Sequence, residues 1–265
     1  MKTILVTGST DGVGKLTATK LAKSGYQVIL HGRNAEKLKN TISEIKEITN
    51  NEYVSAFVSD FSDLDSIKKM ISDISNEFSA IDVLINNAGV LTSNIEQNQD
   101  GLDIRFVVNY LAPYFLTNAL LPILKNSDSP RIINLSSAAQ ATISMDALTG
   151  KERISSNEAY AQSKLALTMW SFDFAKNHPE ITTIAVNPGS LLNTKMVQEA
   201  YGRFWSSVDK GADILVELSI FNKHATNSGK YFDNDQGVFA SAHNDAYNLD
   251  KIHQLISETN NILAG

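Results

Sequence analysis

Thr7-Gly8-Ser9-Thr10-Asp11-Gly12-Val13-Gly14 follows a short β-branched run at the N-terminus and precedes a stretch of helical periodicity. Glycines placed between a strand and a helix let the backbone turn tightly and approach a pyrophosphate. The helix N-terminus then adds free N–H groups and a favourable dipole. Gly8, Thr10, Asp11, Gly12, Val13 and Gly14 are therefore candidate cofactor-binding residues, and the expectation is a dinucleotide-binding turn. A triphosphate-binding P-loop does not fit, because five residues separate Gly8 from Gly14 and Leu16 stands where a Mg²⁺-binding hydroxyl is required.

Outward from that turn the chain keeps one rhythm. Residues 3–7, 27–30, 53–58, 83–86, 131–135 and 182–186 read as strands, and 13–24, 35–49, 63–78, 102–124 and 157–177 as helices. Strict alternation predicts an α/β fold of the Rossmann type. It is a doubly wound, mostly parallel sheet of about seven strands with helices on both faces. No Pro/Ser-rich linker or repeat divides the chain, so a single domain over 1–265 is expected. Two long connections break the rhythm, 138–156 and 189–207. The second carries Met196, Tyr201, Phe204 and Trp205. It reads either as a substrate loop or as a short surface helix whose aromatics pack down on the core.

Composition narrows the function. A net charge of −6 argues against nucleic-acid partners. The chain has no cysteine, which excludes disulfides, thiolate metal sites and thiol catalysis and suits a cytoplasmic setting. The first residues read as a strand, not a signal peptide. The apolar stretch 106–124 contains Asn109, Asn118 and two prolines, so it is expected as a buried helix, not a membrane span. His31, His178, His224, His243 and His253 have no ligand spacing and are read as structural or surface residues. Asp233-Asn234-Asp235-Gln236-Gly237 departs from a calcium loop and reads as an acidic turn. No metal is expected.

Tyr160 and Lys164, in Tyr160-Ala161-Gln162-Ser163-Lys164, lie one helical turn apart on one face. An ammonium near a phenol favours the phenolate, so the pair is expected to act as an acid–base couple near neutrality. Ser136 and Ser137 end a predicted strand, and ligands of open parallel sheets sit beyond such carboxyl ends. Asn109 is an unusual residue inside an apolar helix, where asparagine often only bonds to nearby backbone. Arg33 follows the second strand, where a cofactor lacking a 2′-phosphate is usually met by a carboxylate. A guanidinium with no acid at the strand end favours NADP(H) over NAD(H).

Together Thr7–Gly14, Asn86-Asn87-Ala88-Gly89, Ser136-Ser137 and the Tyr160–Lys164 pair resemble the short-chain dehydrogenase/reductase family, from the first residues to about residue 240. The 138–156 connection and Ser228-Gly229-Lys230-Tyr231-Phe232 are similar to its retinol-dehydrogenase-like and protochlorophyllide-reductase-like branches. The resemblance implies Asn109, Ser137, Tyr160 and Lys164 as catalytic residues. It has the Asn109 carbonyl holding a water, Lys164 on the nicotinamide ribose, and Ser137 chosen over Ser136 by register. It implies Asp60 beside the adenine, Asn87, Ala88 and Gly89 along the cofactor groove, and Pro188 and Gly189 on the nicotinamide side. Thr194 is the candidate for the carboxamide, with Asn193 as substitute. Thr-Asp-Gly loops in similar, NADP-type members keep Asp11 compatible with NADP(H). Asp60 is alternatively a helix cap, a task open equally to Ser62 or Asp63. The implied activity is hydride transfer between NADP(H) and a small carbonyl or alcohol, apolar or aromatic. The implied assembly is a homodimer or homotetramer through the helices bearing Asn109 and Tyr160. Rival readings are a non-catalytic NADP(H)-binding regulator on the same fold and a nucleotide-sugar epimerase or dehydratase. The latter needs more C-terminal structure than remains after Ala240.

Overall fold

The computed structural model describes residues 1–264. In chain order the elements are β1 (Thr3–Val6), α1 (Gly12–Lys23), β2 (Gln27–Gly32), α2 (Ala35–Thr49), β3 (Val54–Val58), α3 (Leu64–Glu77) and β4 (Val83–Asn86). Then come α4 (Ile104–Phe106), a π-helical turn (Val107–Leu111), α5 (Ala112–Leu124), β5 (Arg131–Leu135), α6 (Met145–Leu148), α7 (Ser156–Asn177) and β6 (Thr182–Asn187). The chain closes with α8 (Lys195–Tyr201), α9 (Val208–Ile220), β7 (Lys230–Asp233), β8 (Val238–Ala240) and α10 (Leu249–Ala264).

The strands form one sheet in the order β3-β2-β1-β4-β5-β6-β7-β8. All neighbours are parallel except β7 and β8. The eighth strand exceeds the expected number of about seven. It is a short antiparallel edge formed because the acidic turn at Asp233–Gly237 reverses the chain instead of feeding a helix. Pleating sends alternate side chains to opposite faces. Ile4, Val6, Val28 and Leu30 join α1, α2 and α9 in one core. Leu5, Ile29, Leu84 and Ile132 join α3, α5 and α7 in the other. Each such buried aliphatic contributes about 1.5–3 kcal/mol.

The direction of strand succession reverses between β1 and β4, so a crevice opens at their carboxyl ends. Two loops flank it, the glycine turn after β1 and Asn87-Ala88-Gly89 after β4. The expected helix over 102–124 is present but not uniform. Its middle is a π turn with Asn109 at the centre, a feature periodicity does not reveal and one often found at functional sites. The run Ile104–Leu124 is long and apolar enough to cross a membrane by composition. Here Ile104, Phe106, Leu116 and Leu120 are buried in the core beside the sheet.

The C-terminal helix α10 lies across α5 and α7, with Ile252 and Leu255 buried. The Tyr110 hydroxyl pairs with Thr259 at 2.7 Å, and the Tyr114 hydroxyl donates to Asn260 at 2.7 Å. These are the helices through which the resemblance implies subunit pairing, so α10 already covers part of that face.

Candidate active site

The glycine turn is held by its neighbour across the crevice. The Thr7 Oγ1 accepts from the backbone N–H groups of Asn87 and Ala88, both at 3.0 Å. The Asn87 side-chain amide donates to the carbonyls of Thr7 and Gly8 at 2.8 and 3.0 Å. Gly8 has φ +63, and a Cβ there would meet the Ala88 Cα at 2.8 Å. A Cβ on Gly14 would sit 2.3 Å from the Asn87 amide nitrogen and 2.4 Å from the Gly8 carbonyl oxygen. Backbone therefore approaches backbone where only glycine fits, the packing that a pyrophosphate cradle at a helix N-terminus requires. The residues present fit a nicotinamide dinucleotide.

Asp11 caps α1 by accepting from the Gly12 N–H at 2.8 Å and forms an ion pair with Lys37 at 2.7 Å. Its carboxyl lies below the usual range. Partial burial opposes this, and the Lys37 contact with the Gly12 bond outweighs it. Arg33 is exposed and makes no hydrogen bond or salt bridge among the described residues. Lys37, on the first turn of α2, was not singled out by sequence. Only the fold shows that it pairs with Asp11.

Asp60 is not the helix cap. Asp63 caps α3 by accepting from Asp65, while Asp60 accepts from the Ser62 N–H and Oγ at 2.9 and 2.8 Å. Thr194 caps α8 by accepting from Val197 at 3.3 Å, and its methyl lies 3.4 Å from where a Cβ on Gly12 would be. The nicotinamide-side loop thus reaches the glycine turn. Gly189 (φ +123) donates to Asn187, and the acidic turn holds the next residue, with Asp235 accepting from the Ser190 N–H at 2.9 Å and from its hydroxyl.

The four catalytic candidates converge at the carboxyl ends of β4 and β5. Ser136 is buried and committed to Thr168 at 2.7 Å. Ser137, by contrast, is partly exposed. The Tyr160 hydroxyl lies near enough to Ser137 for that side chain to favour its ionised form, and Ser137 Oγ accepts from the Ala139 N–H at 3.1 Å. Lys164 Nζ lies 5.6 Å from the centroid of the Tyr160 ring and donates to the Leu135 carbonyl at 2.7 Å. Asn109 accepts from the Val90 N–H at 2.7 Å and donates to the Val90 carbonyl and Ser163 Oγ at 3.0 Å. Its side chain fastens the loop after Gly89.

Electrostatically the chain alone departs from the sequence expectation. Burial pushes the Tyr160 phenol up, with the Ser137 side chain opposing, and Lys164 does not bring it down. Burial also lowers the Lys164 ammonium to about 8. Desolvation penalises the charged form of each group, and it is the first cause for both. Lys164 nevertheless remains mostly protonated at neutral pH.

Sequence reasoning also missed Arg105. Its side chain is 1% exposed and binds Glu96 at 2.6 Å, the Leu91 carbonyl at 3.0 Å and Ser156 Oγ at 2.7 Å. It ties the loop after β4 to the start of the helix that bears Tyr160.

The short chain dehydrogenase family model matches residues 2–203. This chain belongs to that family. It is an oxidoreductase of the kind that acts on alcohols and carbonyl groups. This short chain dehydrogenase is 37% identical to human polyprenol dehydrogenase over 77% of its own length and 63% of the relative's. It is 35% identical to human retinol dehydrogenase 13 over 88% of its own length and 76% of the relative's. A short chain dehydrogenase of Escherichia coli CFT073 solved with NADPH shares 27% identity and a TM-score of 0.73, covering 88% of this chain and 96% of that one.

The low Lys164 value has a consequence for stability. Between pH 8 and 10.5 the unfolded lysine holds a proton that the folded one has lost. Unfolding then takes up protons, and stability rises with pH through that window. Urea denaturation of the parent and of Lys164→Met at pH 7.5 and 10 should show the parent gaining about 2 kcal/mol relative to the variant. A difference that stays flat with pH means the amine is not held low.

Proposed function

We propose that this short chain dehydrogenase transfers a hydride reversibly between NADP(H) and the carbonyl or alcohol carbon of an apolar substrate. The observation that carries this is Lys164 Nζ, 5.6 Å from the centroid of the Tyr160 ring and bonded to the Leu135 carbonyl at the end of β5, where Ser137 follows. When bound, the reduced nicotinamide supplies the hydride. In reduction, Ser137 Oγ and Tyr160 Oη donate hydrogen bonds to the substrate oxygen, where negative charge develops. Tyr160 gives up its proton to that oxygen as general acid. The Lys164 ammonium, held within reach by the Leu135 carbonyl, offsets the phenolate that remains. Asn109 keeps the Gly89–Val90 wall in place beside Lys164. A Cβ on Gly89 would lie 3.2 Å from the Asn109 side-chain oxygen and 3.5 Å from Lys164 Nζ.

The preference for NADP(H) over NAD(H) rests on Arg33, free to swing toward a 2′-phosphate, and on Lys37, which offsets Asp11 beside it. The similar E. coli protein with NADPH supports the same reading. The remaining cofactor contacts of this reading are Gly8, Thr10, Gly12, Val13 and Gly14 with Asn87, Ala88 and Gly89. Asp60, Pro188, Gly189 and Thr194 complete them. The cytoplasm is the compartment of this reading, on composition alone.

The apolar character of the substrate rests on the segment 189–207. Its ends are joined by backbone bonds, from Asn193 to Ser206 at 2.9 Å and from Trp205 to Leu191 at 3.1 Å. Its aromatics do not pack down on the core, since Trp205 is 66% and Phe204 51% exposed. A closed base with an exposed apolar tip suits a substrate lid. The relatives named for polyprenol and retinol act on apolar alcohols.

Three measurements test these parts separately. Tyr160→Phe removes the proton donor and should lower turnover by about two decades or more, with NADPH binding retained. Parent-like turnover in that variant would return the protein to a non-catalytic, cofactor-binding role. Arg33→Ala should raise the KM for NADPH about tenfold and leave NADH nearly unaffected, because only NADPH offers the phosphate. Equal losses with both cofactors would make Arg33 structural. On a panel of carbonyl compounds, Trp205→Ala should reorder substrate preference while NADPH affinity holds. A uniform effect across the panel counts against the lid.

A further inference from the structure

His31 is the penultimate residue of β2, two positions before Arg33, and only 3% exposed. Nδ1 accepts the Gly8 N–H at 3.1 Å, and Nε2 lies 3.0 Å from the Ser59 carbonyl oxygen. A carbonyl only accepts, so Nε2 carries the proton and Nδ1 is the bare acceptor. The ring is stacked on Phe61 with centroids 4.1 Å apart. Its backbone N–H donates to Ser9 Oγ at 2.9 Å, and its carbonyl accepts from the Ser9 N–H at 2.9 Å. The imidazole therefore joins Gly8 after β1 to Ser59 and Phe61 after β3, while the backbone of His31 holds Ser9.

Those strand ends are where the proposed cofactor's pyrophosphate and adenosine lie, and the inference rests on that reading. Gly8 sits at φ +63 and touches Ala88, so the orientation of its peptide group decides how the glycine turn presents its backbone. We infer that His31 is a positioning residue for the dinucleotide, setting the Gly8 peptide through Nδ1 and the floor beside Asp60 through Nε2. It touches no reacting atom. Its effect runs through Gly8 into the affinity for cofactor. Losing the Nδ1 acceptor leaves the Gly8 N–H without its partner and lets the peptide turn.

The imidazole is also held neutral. Burial drives it down to about 4, with the Ser59 bond and the Asp60 charge working the other way. A protonated ring would set an N–H against the Gly8 N–H, so the geometry and the proton count agree.

Asparagine and glutamine separate the two ring nitrogens, because an asparagine oxygen can occupy the Nδ1 position and a glutamine amide the Nε2 position. His31→Asn, His31→Gln and His31→Leu are compared with the parent for NADPH dissociation constant, by quenching of protein fluorescence, and for Tm without cofactor. The KM for NADPH is set against kcat. The Gln and Leu variants should bind NADPH about tenfold more weakly and the Asn variant within about threefold of the parent, with the loss falling on KM rather than kcat. Should the Leu variant fail to fold, the Asn–Gln contrast carries the test. Affinity that simply follows Tm across the variants, with no advantage for Asn, overturns the inference and makes His31 structural. So does parent-like binding by the Leu variant. A parent that binds neither NADPH nor NADH overturns both this inference and the proposed function.

Discussion

The crossing between β1 and β4 governs the rest of the structure. At that reversal two strand ends meet and are joined by the side chains of Thr7 and Asn87. Thr7 accepts both N–H groups of the Asn87–Ala88 turn, and Asn87 answers with its amide on the Thr7 and Gly8 carbonyls. Gly8 and Gly14 leave no room for a Cβ. Buried polar groups stay where they are satisfied, so this exchange of bonds fixes the distance between the glycine turn and Gly89. Gly89 in turn borders Asn109 and Lys164. The proposed cofactor groove and the proposed catalytic cluster therefore share one wall.

That wall bears on the acid–base pair. Lys164 is buried, and its ammonium is paid for chiefly by a neutral carbonyl, that of Leu135. Burial pulls lysine down and tyrosine up. Both groups are thereby held nearer their uncharged forms than the sequence pattern alone suggests. A phenol that resists ionisation keeps its proton until negative charge develops on a substrate oxygen, when donation becomes favourable. Asn109 and Arg105 contribute by holding the loops around this pair. Both are buried, Asn109 bonded to the Val90 backbone and Ser163, and Arg105 to Glu96, Asp103, the Leu91 carbonyl and Ser156.

Local backbone strain appears at the loop after β6. Leu191 has φ +46, a conformation that costs a non-glycine residue energy, and its carbonyl accepts from Trp205. The strain sits at the root of the 191–206 loop, next to Thr194, which touches the glycine turn. Asp235, from the hairpin at the sheet edge, anchors the other side of that root through Ser190. The loop is thus fixed at its base and exposed at its aromatic tip.

The sequence by itself determined the alternating α/β rhythm, the doubly wound sheet, the glycine turn and the Tyr160–Lys164 spacing. These are local facts, because periodicity and turn chemistry are written within a few residues. It narrowed the serine to a pair and left a role open for Asp60. Tertiary structure decided what depends on residues far apart in the chain. Burial of Ser136 against Thr168 leaves Ser137 as the partly exposed hydroxyl. Asp63 takes the cap that Asp60 was free to fill. The π turn at Asn109, Lys37 against Asp11, Arg105 reaching Ser156 and α10 lying over α5 are long-range matches of shape and hydrogen bonding that no periodicity encodes. His31 is the plainest case. In sequence it is one of five scattered histidines. In the fold its two nitrogens meet groups from two other strands, because parallel pairing aligns the ends of β1, β2 and β3 around it.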